Sequence, residues 1–387
     1  MRPEVIVLGG GTIGLASAWA LARRGARVTV LERFGHVHAQ GSHGGHTRII
    51  RESYHEGAGY VPIVREAGRL WNELSERTGE QLLVRTGMVE IGAPEDGFYS
   101  DTIAANVASE VEFREYEASE ARRRWPFAIP AGWRACHTPA AGYLRVGPCM
   151  DALRREAEAA GAVVRHQTKV VELVRDAAGV GARLESGERV RGDLAVVAAG
   201  AYLPGLLSEF LPGRLKVVRR VLAWTRPDEG ARAELSAMPV WCVFGPRGFF
   251  YGFPWSREGV DGFKVACHVT AAGEQADMAQ DPELVDREVG PGDLTPLDAF
   301  LAEHLPRARG PFVASTVCLY TCTPSWDFAI DFLAGDPRVL VAGGFSGHGF
   351  KFAPAIGELV AQALLTGALP PALAGFARER HLAGAMV

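Results

Sequence analysis

The chain has 387 residues, enough for a large core and for two domains. It is 48% hydrophobic and 22% charged with a net charge of −4, a globular composition that argues against general attraction to nucleic acid or an anionic membrane. No apolar run approaches the roughly 18 residues that span a bilayer, and the opening MRPEVIVLGGG lacks the cleavage site of a signal peptide, so a cytoplasmic protein is expected.

EVIVLGGG, from Glu4, holds a short apolar run suited to a buried parallel strand. TIGLASAWALARRGA has helical apolar spacing and stops at Gly25, and RVTVLER supplies a second strand, which completes one βαβ unit. Gly9, Gly11 and Gly14 form G-x-G-x-x-G at its first turn. That pattern allows a tight turn, close approach of backbone amides to a pyrophosphate, and close packing of helix on sheet. Glu32 ends the second strand, where a carboxylate can accept hydrogen bonds from ribose hydroxyls. The context predicts dinucleotide binding without choosing NAD from FAD.

GSHGGHTRIIRESYHEG, Gly41 to Gly57, is irregular at first. Arg48 and Arg51 are three apart and would share a face on a helical turn. Arg51 could hold a carboxylate in a bidentate fork. His43 and His46 have ligand-like spacing but no supporting acid or cysteine, so no metal is expected. PIVREAGRLWNELSERTG reads as an amphipathic helix ending at Gly79, and LVRTGMVEIG as an alternating strand. MDALRREAEAAGA is a helix; a strand meander then leads to the buried strand LAVVAAG. From Arg214 to Val317 come aromatic-rich strands, a surface insertion (TAAGEQADMAQDP) and the helix LDAFLAEHLP. RVLVAGG returns to a buried strand, and PAIGELVAQALLTG to a helix. The alternation predicts an α/β nucleotide domain interrupted by a second, mostly β domain.

Between those last two elements, GGFSGHGFKF carries Gly343, Gly344, Gly347 and Gly349, more glycine than a helix entry needs. It reads as a functional loop whose backbone meets a polar cofactor edge. Lys351 lies in it. The 41 basic residues are nearly all arginine, the only lysines being Lys169, Lys216, Lys264 and Lys351. A lysine kept in such a background can mark a place where a compact ammonium works and a broad guanidinium does not. Lys169 and Lys216 lie in exposed-looking segments. Cys318 and Cys322, in TVCLYTCTP, form the one close cysteine pair. A structural zinc site would show a second pair. The spacing leaves open a disulfide, two core thiols or an attachment point.

In this order, GGGTIG, GSHGGHTRIIR, YGFP with a later Lys and His, CLYTCTP and GGFSGHGFKF resemble the monomeric sarcosine oxidase family of FAD-dependent amine oxidases, which includes N-methyltryptophan oxidase. The resemblance covers nearly the whole chain. It implies an α/β (α+β overall) architecture: a Rossmann-like FAD-binding domain at 1–80, 145–213 and 318–387, and a discontinuous, mostly antiparallel β substrate domain at 81–144 and 214–317. It further implies FAD joined covalently through Cys318 to its 8α-methyl carbon, with Gly347 and Gly349 at the cofactor. Arg51 and Lys351 would bind a substrate carboxylate. Tyr251 and His268 would line the pocket with Tyr320 beside them, Lys264 would lie over the flavin and assist O2, and Arg48 would lie near the ring.

The implied reaction converts sarcosine, O2 and water to glycine, formaldehyde and hydrogen peroxide. Another N-substituted or cyclic amino acid (N-methyltryptophan, pipecolate, proline) is the alternative substrate. A non-catalytic dinucleotide-binding module is the alternative of another class, against which Cys318, Lys264 and Lys351 argue. The implied partners are a small amine and O2, with no nucleic acid or membrane, and the chain is expected to be a monomer. Gly44 and His46 stand where the family commonly has His and Asp, the interval from Tyr251 to Lys264 is longer, and Ser325–Asp327 replaces a more acidic, histidine-containing run. These departures leave the preferred amine open.

Overall fold

The computed structural model describes residues 2–177, 179–273 and 277–382. The expected surface insertion thus lies partly outside the described residues, at 274–276, as do positions 383–387 of the last expected segment.

Glu4–Leu8 pairs in parallel with Arg27–Leu31 on one side and with Leu194–Val197 on the other. Asp336–Gly343 and Val163–Arg165 extend the sheet at its two sides, and antiparallel Ala329–Leu333 closes one edge to give six strands. The side chains of Glu4–Leu8 alternate between two cores. Val5 and Val7 face the helices Thr12–Arg23, Val61–Thr78, Val146–Ala159 and Ala353–Thr366, where Trp19 and Trp71 are fully buried. Ile6 and Leu8 face the meander Val170–Asp176, Gly179–Leu184 and Arg189–Gly192. Burial on both faces is why these strands read as continuous apolar runs. The expected helix before Gly79 ends there, with that glycine left-handed at φ 71°.

The second large sheet has eight strands, in the order Phe312–Cys322, Lys216–Thr225, Phe263–Thr270, Gly248–Gly252, Val240–Gly245, Met88–Gly92, Arg134–Thr138 and Arg114–Glu117. Only the pairing of Val240–Gly245 with Met88–Gly92 is parallel. One face packs Trp241, Phe250 and Phe263 against the helix Pro291–His304, with Phe250 stacked on Phe300 at 4.2 Å. The other face presents Cys242, Tyr251, Cys318 and Tyr320 to a cleft. Phe312–Cys322 pairs with Lys216–Thr225 along its length, so this sheet carries Cys318 into the cleft.

LVRTGMVEIG is not one strand. It breaks at Gly87, whose φ of 69° turns the chain. Leu83–Arg85 joins Gly142–Arg145 and Thr47–Ile50 in a small sheet, while Met88–Gly92 enters the large one. The alternation was right on both sides of a turn that only the glycine marked.

Among the described residues no single helix is long and apolar enough to cross a membrane. The pair 350–366 and 371–382 has the required composition only jointly, and it bends by 104°.

Helices Thr12–Arg23 and Ala353–Thr366 meet backbone to backbone: a Cβ on Gly357 would lie 2.5 Å from the Ala16 carbonyl carbon. We expect Gly357→Ala to cost about 1–3 kcal/mol through overpacking. The measurement is the denaturant midpoint at constant m-value; an unchanged midpoint would refute the contact.

Candidate active site

Among the described residues one long cleft, with about 1820 Å³ of atom-free space including open solvent, reaches from Glu32 to Arg51 and Lys351. At the Glu32 end the glycine turn is built as the sequence suggests. Gly9 has φ 105°, and a Cβ on Gly14 would fall 1.8 Å from the Gly9 carbonyl oxygen. Gly11 caps the following helix. Glu32 accepts the N–H groups of Gly10 and Phe34, each at 2.7 Å, and His38 Nε2 lies at 3.4 Å. Burial pushes its carboxyl up, but the hydrogen bonds from His38 and the two amides outweigh it and hold the group below the ordinary glutamate value. Each oxygen still has lone-pair capacity for a hydroxyl donor.

His43 Nε2 accepts the Thr12 N–H at 3.2 Å and lies 2.6 Å from Thr12 Oγ1. Burial pushes this imidazole down to about 3, so it is neutral at ordinary pH. The accepting Nε2 leaves the proton on Nδ1, and that buried atom has no hydrogen-bond partner in the protein. An orphaned donor in a cleft wall, beside a helix amino end and a carboxylate, fits the phosphates and ribose of FAD.

Midway along the cleft, Cys318 is 2% exposed and its Sγ accepts from Arg48 Nη2 at 3.7 Å. The same guanidinium donates to the carbonyls of Ser42 at 2.5 Å, Gly44 at 2.7 Å and Thr47 at 2.8 Å, which fixes a cation beside a cleft-facing sulfur. Cys322 is buried on the same strand but does not line the cleft, and the two cysteines form no disulfide. Lys264 Nζ donates to Gly45 O at 2.5 Å, Thr47 O at 3.0 Å and Thr47 Oγ1 at 3.1 Å. Burial and then Arg48 draw its pKa well below the usual lysine value. Three acceptors match the three N–H groups of an ammonium and oppose that shift. Lys264 does not itself line the cleft, and of the other expected site residues only Gly14 shares that position.

At the closed end stand Arg51, Lys351, Tyr251, His268 and Tyr320. The expected helical face for Arg48 and Arg51 is absent: Thr47–Ile50 is a strand, favoured by its β-branched residues. The arginines reach the same cleft because Arg51 lies just past the strand end. Its Nη2 meets both Glu56 oxygens, at 3.1 and 3.0 Å, and Nη1 donates to the Ser53 carbonyl. Burial lowers the Arg51 pKa, but Glu56, Glu90 and other neighbours together outweigh it and raise the group above the usual arginine value, so the guanidinium stays charged. Lys351 Nζ donates to His348 O at 2.9 Å and Tyr54 OH at 3.2 Å, and burial and then Arg51 push it down to about 7. Of the other two lysines, Lys169 pairs with Glu185 at 2.8 Å at the surface and Lys216 is half-buried.

His268 Nδ1 lies 3.2 Å from Tyr320 OH. Burial, then Arg220, push His268 well below the usual histidine value. Burial raises Tyr251 to about 12 and Tyr320 well above 10. The wall next to the two cations is therefore neutral.

Glu56, Tyr54 and His348 were not singled out in the sequence. His348 Nδ1 lies 2.8 Å from Tyr54 OH and 3.9 Å from Glu56 Oε1. Glu56 follows Arg51 by five residues in RESYHEG, an interval with no helix or strand period. An acid five residues after an arginine was the only available signal.

Residues 4–363 match the model of the FAD dependent oxidoreductase family. The chain is 35% identical over 369 residues to monomeric sarcosine oxidase of Bacillus sp. (strain B-0618), covering 94% of this chain and 92% of that protein. It is 32% identical over 363 residues to N-methyl-L-tryptophan oxidase of Yersinia pestis (strain Pestoides F), covering 93% and 94%. Among solved structures, NikD, an amino acid oxidase essential for nikkomycin biosynthesis, superposes with a TM-score of 0.82 at 27% identity over 97% of both chains. With the glycine turn, the Glu32 carboxylate and the orphaned His43 donor in one cleft, these matches show that the chain belongs to the FAD dependent oxidoreductase family.

Proposed function

We propose that the protein is an oxidase of secondary amines borne by small amino acids, with sarcosine the leading substrate. The observation that carries this reading is the convergence of two buried cations, Arg51 and Lys351, beside the neutral wall of Tyr251, His268 and Tyr320. Such a pocket anchors a carboxylate by charge and leaves the adjacent amine nitrogen beside groups that keep no charge near neutral pH. The relatives named for sarcosine and for N-methyl-L-tryptophan support it.

FAD supplies the two-electron chemistry that turns the C–N bond into a hydrolysable imine and delivers the electrons to O2. Overall, sarcosine, O2 and water give glycine, formaldehyde and hydrogen peroxide. In this reading Glu32, His43 and the turn Gly9–Gly14 would hold the adenosine and phosphates, and the loop with Gly347 and Gly349 would hold the flavin. Cys318 would hold the flavin by a thioether to its 8α carbon, the thiol S–H and one methyl C–H being lost and their two electrons and two protons leaving to O2 as hydrogen peroxide. Arg48, fixed beside Cys318, would supply positive charge to the flavin. Lys264 spends its N–H groups on protein oxygens, so its effect on O2 is that of a fixed charge where negative charge develops.

The proposed FAD-binding domain is 1–80, 145–213 and 318–387 with the rest as substrate domain, the 318 boundary falling inside the strand Phe312–Cys322. The proposed setting is a cytoplasmic monomer. One observation favours a bulkier amino acid: Phe249, in the cleft wall, packs on His268 at 4.9 Å and on Phe244 at 4.7 Å, a surface suited to an apolar side chain. A panel of N-methyl and cyclic amino acids read by peroxide release ranks the two, and no peroxide from any of them defeats the oxidase reading.

Acid precipitation should leave the yellow colour in the pellet, and Cys318→Ser should release it; colour lost from the unaltered protein would rule out the thioether. Lys264→Met should slow reoxidation of the reduced enzyme by O2 far more than anaerobic reduction by amine, and equal slowing would exclude a role specific to oxygen. Lys351→Ala should raise KM about tenfold or more with a smaller change in kcat, the loss of one charge-assisted contact. An unchanged KM would place Lys351 outside the carboxylate site.

A further inference from the structure

Glu90 is fully buried on the strand Met88–Gly92. Its register partners are Cys242 on one neighbouring strand and Cys136 on the other. Residues paired in register share a face of the sheet. Cys242 pairs in turn with Tyr251, and both line the cleft. Cys136, Glu90, Cys242 and Tyr251 therefore form one row across the sheet on its cleft-facing side. Neither Glu90 oxygen has a hydrogen-bond partner, and Ser53 Oγ, whose proximity lowers the Glu90 pKa, also closes no hydrogen bond of good geometry. An acid left in this state needs a reason.

Arg51 supplies one. Its guanidinium feels two acids, Glu56 at the cleft and Glu90 in the sheet. Glu56 stays ionised: burial pushes it up, but Arg51, His55, His348 and Lys351 hold it well below the usual value. Glu90 is different. Burial, opposed by Arg51 and Ser53 and reinforced by Glu56, leaves it raised to about 7. The remaining neighbours do not compete, because burial keeps the thiols of Cys242 and Cys136 protonated, and Asn106, from the helix Gly97–Ala108, donates to Cys136 Sγ at 3.7 Å. His55, beside Arg51, is pushed by burial down to about 3 and is neutral. Lys351 is the other group here poised near 7.

We propose that Glu90 is a positioning residue for Arg51: neutral Glu90 leaves the guanidinium to a ligand carboxylate in the cleft, and ionised Glu90 holds it toward the sheet and opposes that ligand. This rests on the reading of Arg51 as a carboxylate site. The sign follows from linkage. A bound carboxylate favours the protonated forms of both Glu90 and Lys351, so affinity is full below their free-enzyme pKa values and falls as pH rises through about 7.

The test uses the flavin-loaded protein and methoxyacetate, a carboxylate with no ionisable nitrogen, titrated by flavin absorbance from pH 6 to 9. For the unaltered protein log Kd should climb with a slope above one per pH unit. Glu90→Gln should bind equally at pH 6, climb with a slope of at most one, and bind about tenfold or more tighter than the unaltered protein at pH 9. Glu90→Asp should keep the steep profile. An identical profile in Glu90→Gln overturns the proposal while leaving Arg51 as the carboxylate site. Failure of the unaltered protein to bind methoxyacetate at pH 6 overturns the Arg51 reading and this proposal with it. Lys351→Met supplies a second route if Glu90→Gln does not fold: it retains Glu90 and must still show a rising Kd, and a flat profile overturns the role given to Glu90.

Discussion

Arg51 and Lys351 are held out of water at the end of a cleft, and much of the surrounding structure answers the cost of that burial. An isolated buried cation is unfavourable by several kcal/mol unless it is paired and hydrogen-bonded. Arg51 is compensated by Glu56 and by the Ser53 carbonyl. Lys351 donates to a carbonyl and a tyrosine hydroxyl, and burial and then Arg51 bring its pKa down to about 7. The site therefore carries a cation whose charge is incompletely answered by the protein. In the proposed function a ligand carboxylate completes it, and its affinity draws on desolvation already suffered during folding.

Delivery of these groups depends on sheets of different kinds meeting at one cleft. The parallel sheet ends in the turn that presents Gly9, Gly11 and Glu32. The eight-stranded sheet acts as a tiled wall: Cys318 and Tyr320 alternate on one strand, and Cys242 and Tyr251 face each other across two others. The small sheet containing Thr47–Ile50 contributes Arg48 from its side and Arg51 from its end. Carbonyls just before and within that segment, at Gly45 and Thr47, hold Lys264, so the ammonium is fixed by the element that also carries the arginines. Chemistry placed on strand ends and tight loops keeps its geometry because the paired backbone behind it cannot move independently.

The departures from the family pattern fall where this tiling changes. His46 adopts φ 55° and its ring faces Trp224 at 6.0 Å, beneath Gly259. Trp326, in the altered Ser325–Asp327 run, adopts φ 62°, lies 5.8 Å from His268, and accepts from His348 Nε2 at 3.1 Å. Trp326 backs the cleft wall through His268 and His348, whereas His46 packs away from the cleft lining.

Sequence alone determined the nucleotide half, because its signals are local. A βαβ unit, a glycine triplet and an acid at a strand end lie within one short segment, and each follows from backbone geometry that few residue types satisfy. The buried strands were legible as apolar runs, and the scarcity of lysine singled out Lys264 and Lys351, which are 3% and 5% exposed. The roles of Cys318, Tyr251 and His268 came from resemblance, since a cysteine or an aromatic on a strand reads the same whether it faces a core or a cofactor. Only the tertiary structure decided which face each strand shows the cleft, that Arg48 and Arg51 meet there without a helix, that Glu56 pairs with Arg51, and that Glu90 is buried in the sheet in register with the cleft-lining Cys242. Those facts depend on the register between segments distant in the chain, and a one-residue slip would reverse every one of them.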